Sequence, residues 1–162
     1  MTENIIKETI KYSIENKVAR VTLNRHEIHN AFNETMIAEL LELYRMLGLR
    51  DDVRVVLLTG EGKSFCAGAD LKWMGGVINY SYQQNLNESL QLAELFYTMY
   101  SLAKPTIAVV NGSAIGGGAG MVAVNDLVIM SDRAKISLSE VKIGLVPACI
   151  SPYVIRKIGE NR

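Results

Sequence analysis

The sequence predicts an α/β fold with a largely parallel sheet, and three observations carry that prediction. Apolar, β-branched runs at residues 53–60, 106–110 and 126–131 have the length and composition of buried strands. Between them, residues 33–48 and 80–103 repeat apolar side chains at helical spacing. Strands separated by helices pair in parallel, because a crossover returns the chain to the same end of the sheet.

The elements follow in order. Residues 11–15 and 18–23 alternate apolar with polar around Asn16-Lys17, the pattern of a hairpin that opens the sheet. A polar loop over 24–32 leads to Asn33, which is placed to cap a helix with Met36, Ile37, Leu40, Leu41, Tyr44 and Leu47 on its apolar face, ending near Gly48. After the strand at 53–60 comes a small-residue elbow over 61–71. Residues 73–79 read as irregular. Residues 80–103 read as a helix whose Leu86, Leu90, Ala93, Leu95, Phe96, Met99 and Leu102 fill the core, stopped by Lys104-Pro105. The strand at 106–110 feeds a second elbow, Gly116-Gly117-Gly118, and a helix start. A buried strand at 126–131, a short strand at 134–138, a turn at 139–144 and a short helix at 151–159, with Pro152 near its start and Gly159 at its end, complete one domain over 1–162.

Composition narrows the function. The 162 residues are 49% hydrophobic and 21% charged, with 17 basic and 17 acidic side chains, so no basic stripe suggests nucleic acid. The N-terminus has no apolar leader and no stretch reaches the length of a membrane span, which points to a cytoplasmic protein. Cys66 and Cys149 lack metal-ligand spacing and read as reduced thiols, with no metal site.

The elbows carry the chemistry. Glycine removes the Cβ that would hold a ligand off the backbone, and the first turn of a helix has N–H groups without intrahelical partners. Two such elbows on neighbouring strands can aim two N–H groups at one oxygen, which polarises a carbonyl without a metal.

Four motifs in sequence order resemble the crotonase (enoyl-CoA hydratase/isomerase) superfamily: Asn24-Arg25 with Asn30-Ala31-Phe32-Asn33, then residues 64–71, 104–118 and 140–147. The resemblance covers the whole chain. It implies a crotonase-type spiral of ββα units that binds an acyl-CoA, with the thioester oxygen held by the N–H groups of Ala67 and Gly117. It places Arg25, Glu27 and Ile28 near the pantetheine or phosphates and Gly68, Ala69, Asp70 and Leu71 at the adenine end. It also puts Gly116 and Pro147 in the binding site. No cofactor is implied, coenzyme A being part of the substrate. The expected assembly is a homotrimer or dimer of trimers when full length.

The chain departs from the family in three ways. His26 and Glu27 stand where a proline and a lysine are common. Two-glutamate hydratases place their first carboxylate at the position of Gly120 and their second at that of Glu140, so here only Glu140 is retained. The expectation is that Gly120 leaves an empty slot that admits a branched or carboxylated acyl group. Residues 70–74 and 139–147, with Ile150-Ser151-Pro152-Tyr153, are similar to the subgroup acting on branched glutaconyl-CoA substrates. Finally, family members continue past Arg162 with helices that close the pocket, so the C-terminal helical part is expected to be missing and the chain alone to be poorly active.

Each site residue has a plainer reading too. Glu140, between apolar runs, is expected to be the catalytic acid and base. Asp70 reads equally as a helix cap or a ligand, and Trp73 with Met74 as a pocket wall or the anchor of a lid. His26 and His29 read as loop residues, because Ser113 and Ser139 do not sit in a Gly-x-Ser-x-Gly elbow. The expected activity is reversible hydration of a branched or glutaconyl-type enoyl-CoA. Double-bond isomerisation and noncatalytic acyl-CoA binding are the alternatives.

Overall fold

The sheet begins with an antiparallel ribbon of β1 (Glu3–Ile6), β2 (Ile10–Glu15) and β3 (Val18–Leu23). Asn16 and Lys17, with φ of 50° and 67°, supply the pair of positive angles that a type I′ turn between β2 and β3 requires. β1 is not expected from the sequence, since it is short and its last three residues are exposed at the sheet edge. The computed structural model describes residues 3–160. Met1 and Thr2, and with them both ends of the 1–162 domain, therefore lie outside the described residues.

From β3 onward the pairing turns parallel, as expected. β4 (Val55–Gly60), β5 (Thr106–Val110) and β7 (Leu127–Met130) extend the sheet in the order β1-β2-β3-β4-β5-β7, while β6 (Ala114–Ile115) and β8 (Ile136–Ser137) form a second, two-stranded sheet. Isolated bridges Phe32–Ala69 and Cys66–Ala114 continue that short layer. Each turn of the chain thus contributes one long strand, one short one and a helix.

Helix α1 (Glu34–Leu49) starts at Asn33, whose side chain accepts the Met36 N–H at 3.1 Å. Its buried face of Met36, Leu40, Tyr44 and Leu47 packs against α3 (Tyr82–Tyr100) and belongs to one buried cluster with Val21, Val56 and Leu58. Each such side chain contributes about 1.5–3 kcal/mol by leaving water. The helices α2 (Leu71–Val77), α4 (Gly117–Ala123) and α5 (Ser151–Ile158) complete the structure.

Three expectations need correction. Residues 73–77, most of the 73–79 stretch expected to be irregular, lie in helix α2, because Asp70 caps it and offsets the cost of Gly75 and Gly76. Of the expected apolar stripe, Leu95, Phe96 and Met99 are buried in the core and Leu102 packs against it partly buried, whereas Leu86 and Leu90 are exposed. β7 is an edge strand and not a buried one: Leu127 and Ile129 are 60% and 61% exposed and Val128 and Met130 are open on the other face. Apolar composition identified the strand without revealing what covers it.

Polar staples fix the loop after β3. Asn30, fully buried, accepts the Arg25 N–H and donates to the carbonyls of Glu61 and Ser64, each at 2.9 or 3.0 Å. Arg25 donates to Asp70 Oδ2 at 3.0 Å and to the Ala31 carbonyl at 2.6 Å, and Asp70 Oδ1 accepts the Lys72 N–H at 2.9 Å. Burial raises the Asp70 pKa, but the Lys72 N–H and the Arg25 guanidinium outweigh it and hold the carboxyl below the usual range. A folded-state pKa below the unfolded value stabilises above the unfolded value and loses that contribution as pH falls through the folded one. Asparagine still caps, so Asp70→Asn mainly removes the charge that Arg25 holds and is expected to cost up to about 1 kcal/mol near neutral pH, with the difference from wild type closing in acid. Urea denaturation across that range checks this, and a gap independent of pH contradicts it.

Gly120 is enclosed. A Cβ there would lie 2.2 Å from Ile150 Cγ2 and 3.2 Å from Phe96 Cε1, and Ile150 is 3% exposed. The empty slot expected at Gly120 is filled by Ile150, whose side chain occupies the space. Alanine is favoured over glycine in a helix by about 1 kcal/mol, but overpacking costs about 1–3 kcal/mol, so the clash decides the sign. Gly120→Ala is expected to destabilise the wild-type chain and to cost less, or nothing, beside Ile150→Ala. A double-mutant cycle by chemical denaturation measures this, and strict additivity would show that the two residues do not share the space.

Candidate active site

The two elbows meet through the backbone. Phe65 and Cys66 N–H both donate to the Ser113 carbonyl at 3.1 Å, and the Ile115 N–H returns a bond to Cys66 O at 2.9 Å. This stitching sets the 66–70 loop beside the start of α4. A Cβ on Gly68, where φ is +90°, would lie 2.8 Å from the Ile115 carbonyl and 3.7 Å from the Gly117 nitrogen, so only glycine permits the approach.

The expected oxyanion donor Ala67 is not free. Its N–H donates to the His29 carbonyl at 3.0 Å, a bond that closes the loop after β3 against the elbow. Ala69 is placed differently. Phe32 N–H donates to Gly68 O at 2.8 Å and Asp70 N–H to Phe32 O at 2.9 Å, the two bonds of a parallel bridge, and these leave the Ala69 N–H facing the other way. Gly117 opens α4, which has no side-chain cap, so its N–H has no intrahelical acceptor. Among the described residues neither Ala69 nor Gly117 N–H has a protein acceptor. The pair suited to hold an oxyanion is therefore Ala69 with Gly117, and Ala67 is a structural donor.

Glu140 stands next to this pair. It begins a 3-10 helix (Glu140–Ile143), and a Cβ on Gly116 would lie 2.8 Å from its Oε1. Its Oε2 is buried without a hydrogen-bond partner among the described residues. A buried acceptor with nothing to accept carries a free-energy cost that a ligand or water can relieve.

A cavity of about 570 Å³ joins these groups. Of the residues expected in the site, Ala67, Gly68, Ala69, Leu71, Gly116, Gly117, Glu140 and Pro147 line it, as do Trp73 and Met74. Arg25, Ile28 and Asp70 do not line it: Arg25 and Asp70 hold each other, Asp70 is a helix cap, and Ile28 lies on an exposed 3-10 helix (His26–Ile28). Glu27 is exposed beside His26, and His29 Nδ1 lies 3.0 Å from Ser64 Oγ, away from Ser113 and Ser139. The sequence reading missed one cavity wall: Asn85, Glu88, Ser89, Leu92 and Phe96, one face of α3, together with Ile150. Their spacing was visible, but they interleave with the apolar stripe and read as its solvent side. Both cysteines are free thiols, and burial pushes the fully enclosed Cys66 up to about 12, so it offers no nucleophile.

Comparison with known proteins agrees with this geometry. Residues 13–162 match the family model described as enoyl-CoA hydratase/isomerase. A Thermus thermophilus protein with a provisional enoyl-CoA hydratase name is 43% identical over 144 residues, 89% of this chain and 57% of that protein. The 1,2-epoxyphenylacetyl-CoA isomerase of Escherichia coli is 36% identical over 156 residues, 93% of this chain and 58% of that enzyme. The crystal structure of an enoyl-CoA hydratase from Shewanella pealeana superposes with a TM-score of 0.92 at 39% identity, covering 94% of this chain and 58% of that one. The chain thus spans less than two thirds of the length of the relatives it matches. With the strand order, the stitched elbows and these matches together, the chain belongs to the crotonase superfamily of enoyl-CoA hydratases and isomerases.

Proposed function

We propose that this cavity binds the thioester end of an enoyl-CoA and supports reversible addition of water across its α,β double bond. The observation that carries the reading is the meeting of two unengaged N–H groups, Ala69 and Gly117, with the unpartnered buried carboxylate of Glu140. In this mechanism the thioester oxygen accepts both N–H bonds, which stabilise the negative charge that develops as oxygen adds to the β-carbon. Glu140 takes one proton from the attacking water and returns it to the α-carbon, so one carboxylate serves as base and then acid. The water's oxygen and remaining proton become the β-hydroxyl.

A second reading is a shift of the double bond, in which Glu140 removes a proton from one carbon and returns it to another. The apolar side chain of Ile150, standing where a second carboxylate would hold a water, favours it. A branched acyl group is supported by the motif likeness of residues 70–74 and 139–147. A cytoplasmic setting and a homotrimer, or dimer of trimers, belong to the same proposal. The exposed apolar side chains of Leu127 and Ile129 support a further covering surface.

Glu140→Gln keeps the side chain's shape and removes its proton acceptor. Turnover of enoyl-CoA is expected to fall at least about 10²-fold, the typical worth of a general acid–base group, while the affinity for a CoA thioester changes little. Steady-state kinetics with calorimetric binding tests the assignment, and wild-type rates in this variant would remove Glu140 from the chemistry.

A further inference from the structure

The cavity has a charge pattern as well as a shape. Its titratable lining side chains are Glu88, Glu140 and Cys149, and among the described residues it is lined by no lysine, arginine or histidine. Cys149 is a half-buried free thiol whose pKa burial raises. Glu88 reaches the wall from α3, one turn before Leu92. No ion pair involves Glu88 among the described residues, although Glu94 farther along the same helix pairs with Arg45. The rest of the wall is largely apolar, and Ile150 closes the place beside Gly120 where the family pattern would put a carboxylate.

Resting on the acyl-CoA reading above, we infer that this cavity selects an uncharged acyl group, with Glu88 as the charge that turns a carboxylated one away. An acyl carboxylate entering here would give up water, meet a like charge and find no cation among the described lining residues to pair with. A hydrocarbon branch would leave water for Ile150, Phe96 and Leu92 and gain by it. Selection of this kind works by a repulsive element against the wrong ligand as much as by attraction to the right one. Of the branched and the glutaconyl-type acyl groups that the motif likeness suggests, the lining favours the branched, uncharged one.

The test is calorimetric titration of the 162-residue chain with two non-hydrolysable S-alkyl-CoA thioethers of equal length, one ending in a methyl group and one in a carboxylate. Wild type is expected to bind the methyl-ended probe at least about tenfold more tightly, the scale of a like-charge contact in a partly desolvated site. Glu88→Gln, isosteric and on an accessible helix face, is expected to bring the ratio towards one, and Glu88→Lys to invert it. Equal binding of both probes by wild type, or a ratio that neither substitution moves, overturns the inference while leaving acyl-CoA binding intact. Failure of both probes to bind overturns the acyl-CoA reading and this inference with it.

Discussion

The Ser113 carbonyl, which accepts the N–H groups of Phe65 and Cys66 at once, is the contact on which the site depends. It joins two loops that leave neighbouring parallel strands, β4 and β5, and so are already close at the same end of the sheet. Once joined, they leave no room for side chains: a Cβ on Gly112 would lie 2.0 Å from the Lys63 carbonyl, and one on Gly118 2.4 Å from the Cys66 carbonyl. The glycines of both elbows are first a condition for this interlock. Their availability to a ligand is a consequence, because backbones packed this tightly leave the N–H groups of Ala69 and Gly117 without acceptors among the described residues.

Around the interlock, charged and polar side chains are used for position. Asn30 ties the loop after β3 to the first elbow, and Arg25 with Asp70 ties the same loop to the start of α2. Arg25 is held by Asp70 and the Ala31 carbonyl, and neither it nor Asp70 lines the cavity. Glu140 is the opposite case, a carboxylate with a buried oxygen and no partner among the described residues. The contrast separates a side chain that builds the site from one that is free to act in it.

Much of this was legible in the sequence. The parallel strands, the capped α1 and the two elbows follow from apolar runs, an asparagine cap and glycine clusters, all of which depend on neighbours close along the chain. What escaped depended on distant contacts. Nothing near Gly120 announces that Ile150 fills its space, and nothing near Ala67 announces that the His29 carbonyl takes its N–H. The motif pointed to Ala67, whose N–H is engaged, and not to Ala69, whose N–H is open, since resemblance carries residue types and not the directions of their amides. The polar wall of α3 was hidden for a related reason: Asn85, Glu88 and Ser89 look like a solvated helix face until a cavity is known to lie beside them.

Ala69 and Gly117 are proposed to hold the thioester oxygen, and amide NMR tests this most directly. Adding a CoA thioester to ¹⁵N-labelled protein should shift the amide protons of Ala69 and Gly117 strongly downfield as they gain an acceptor, while Ala67, already bonded to the His29 carbonyl, should hardly move. A shift at Ala67 with none at Ala69 would contradict the account.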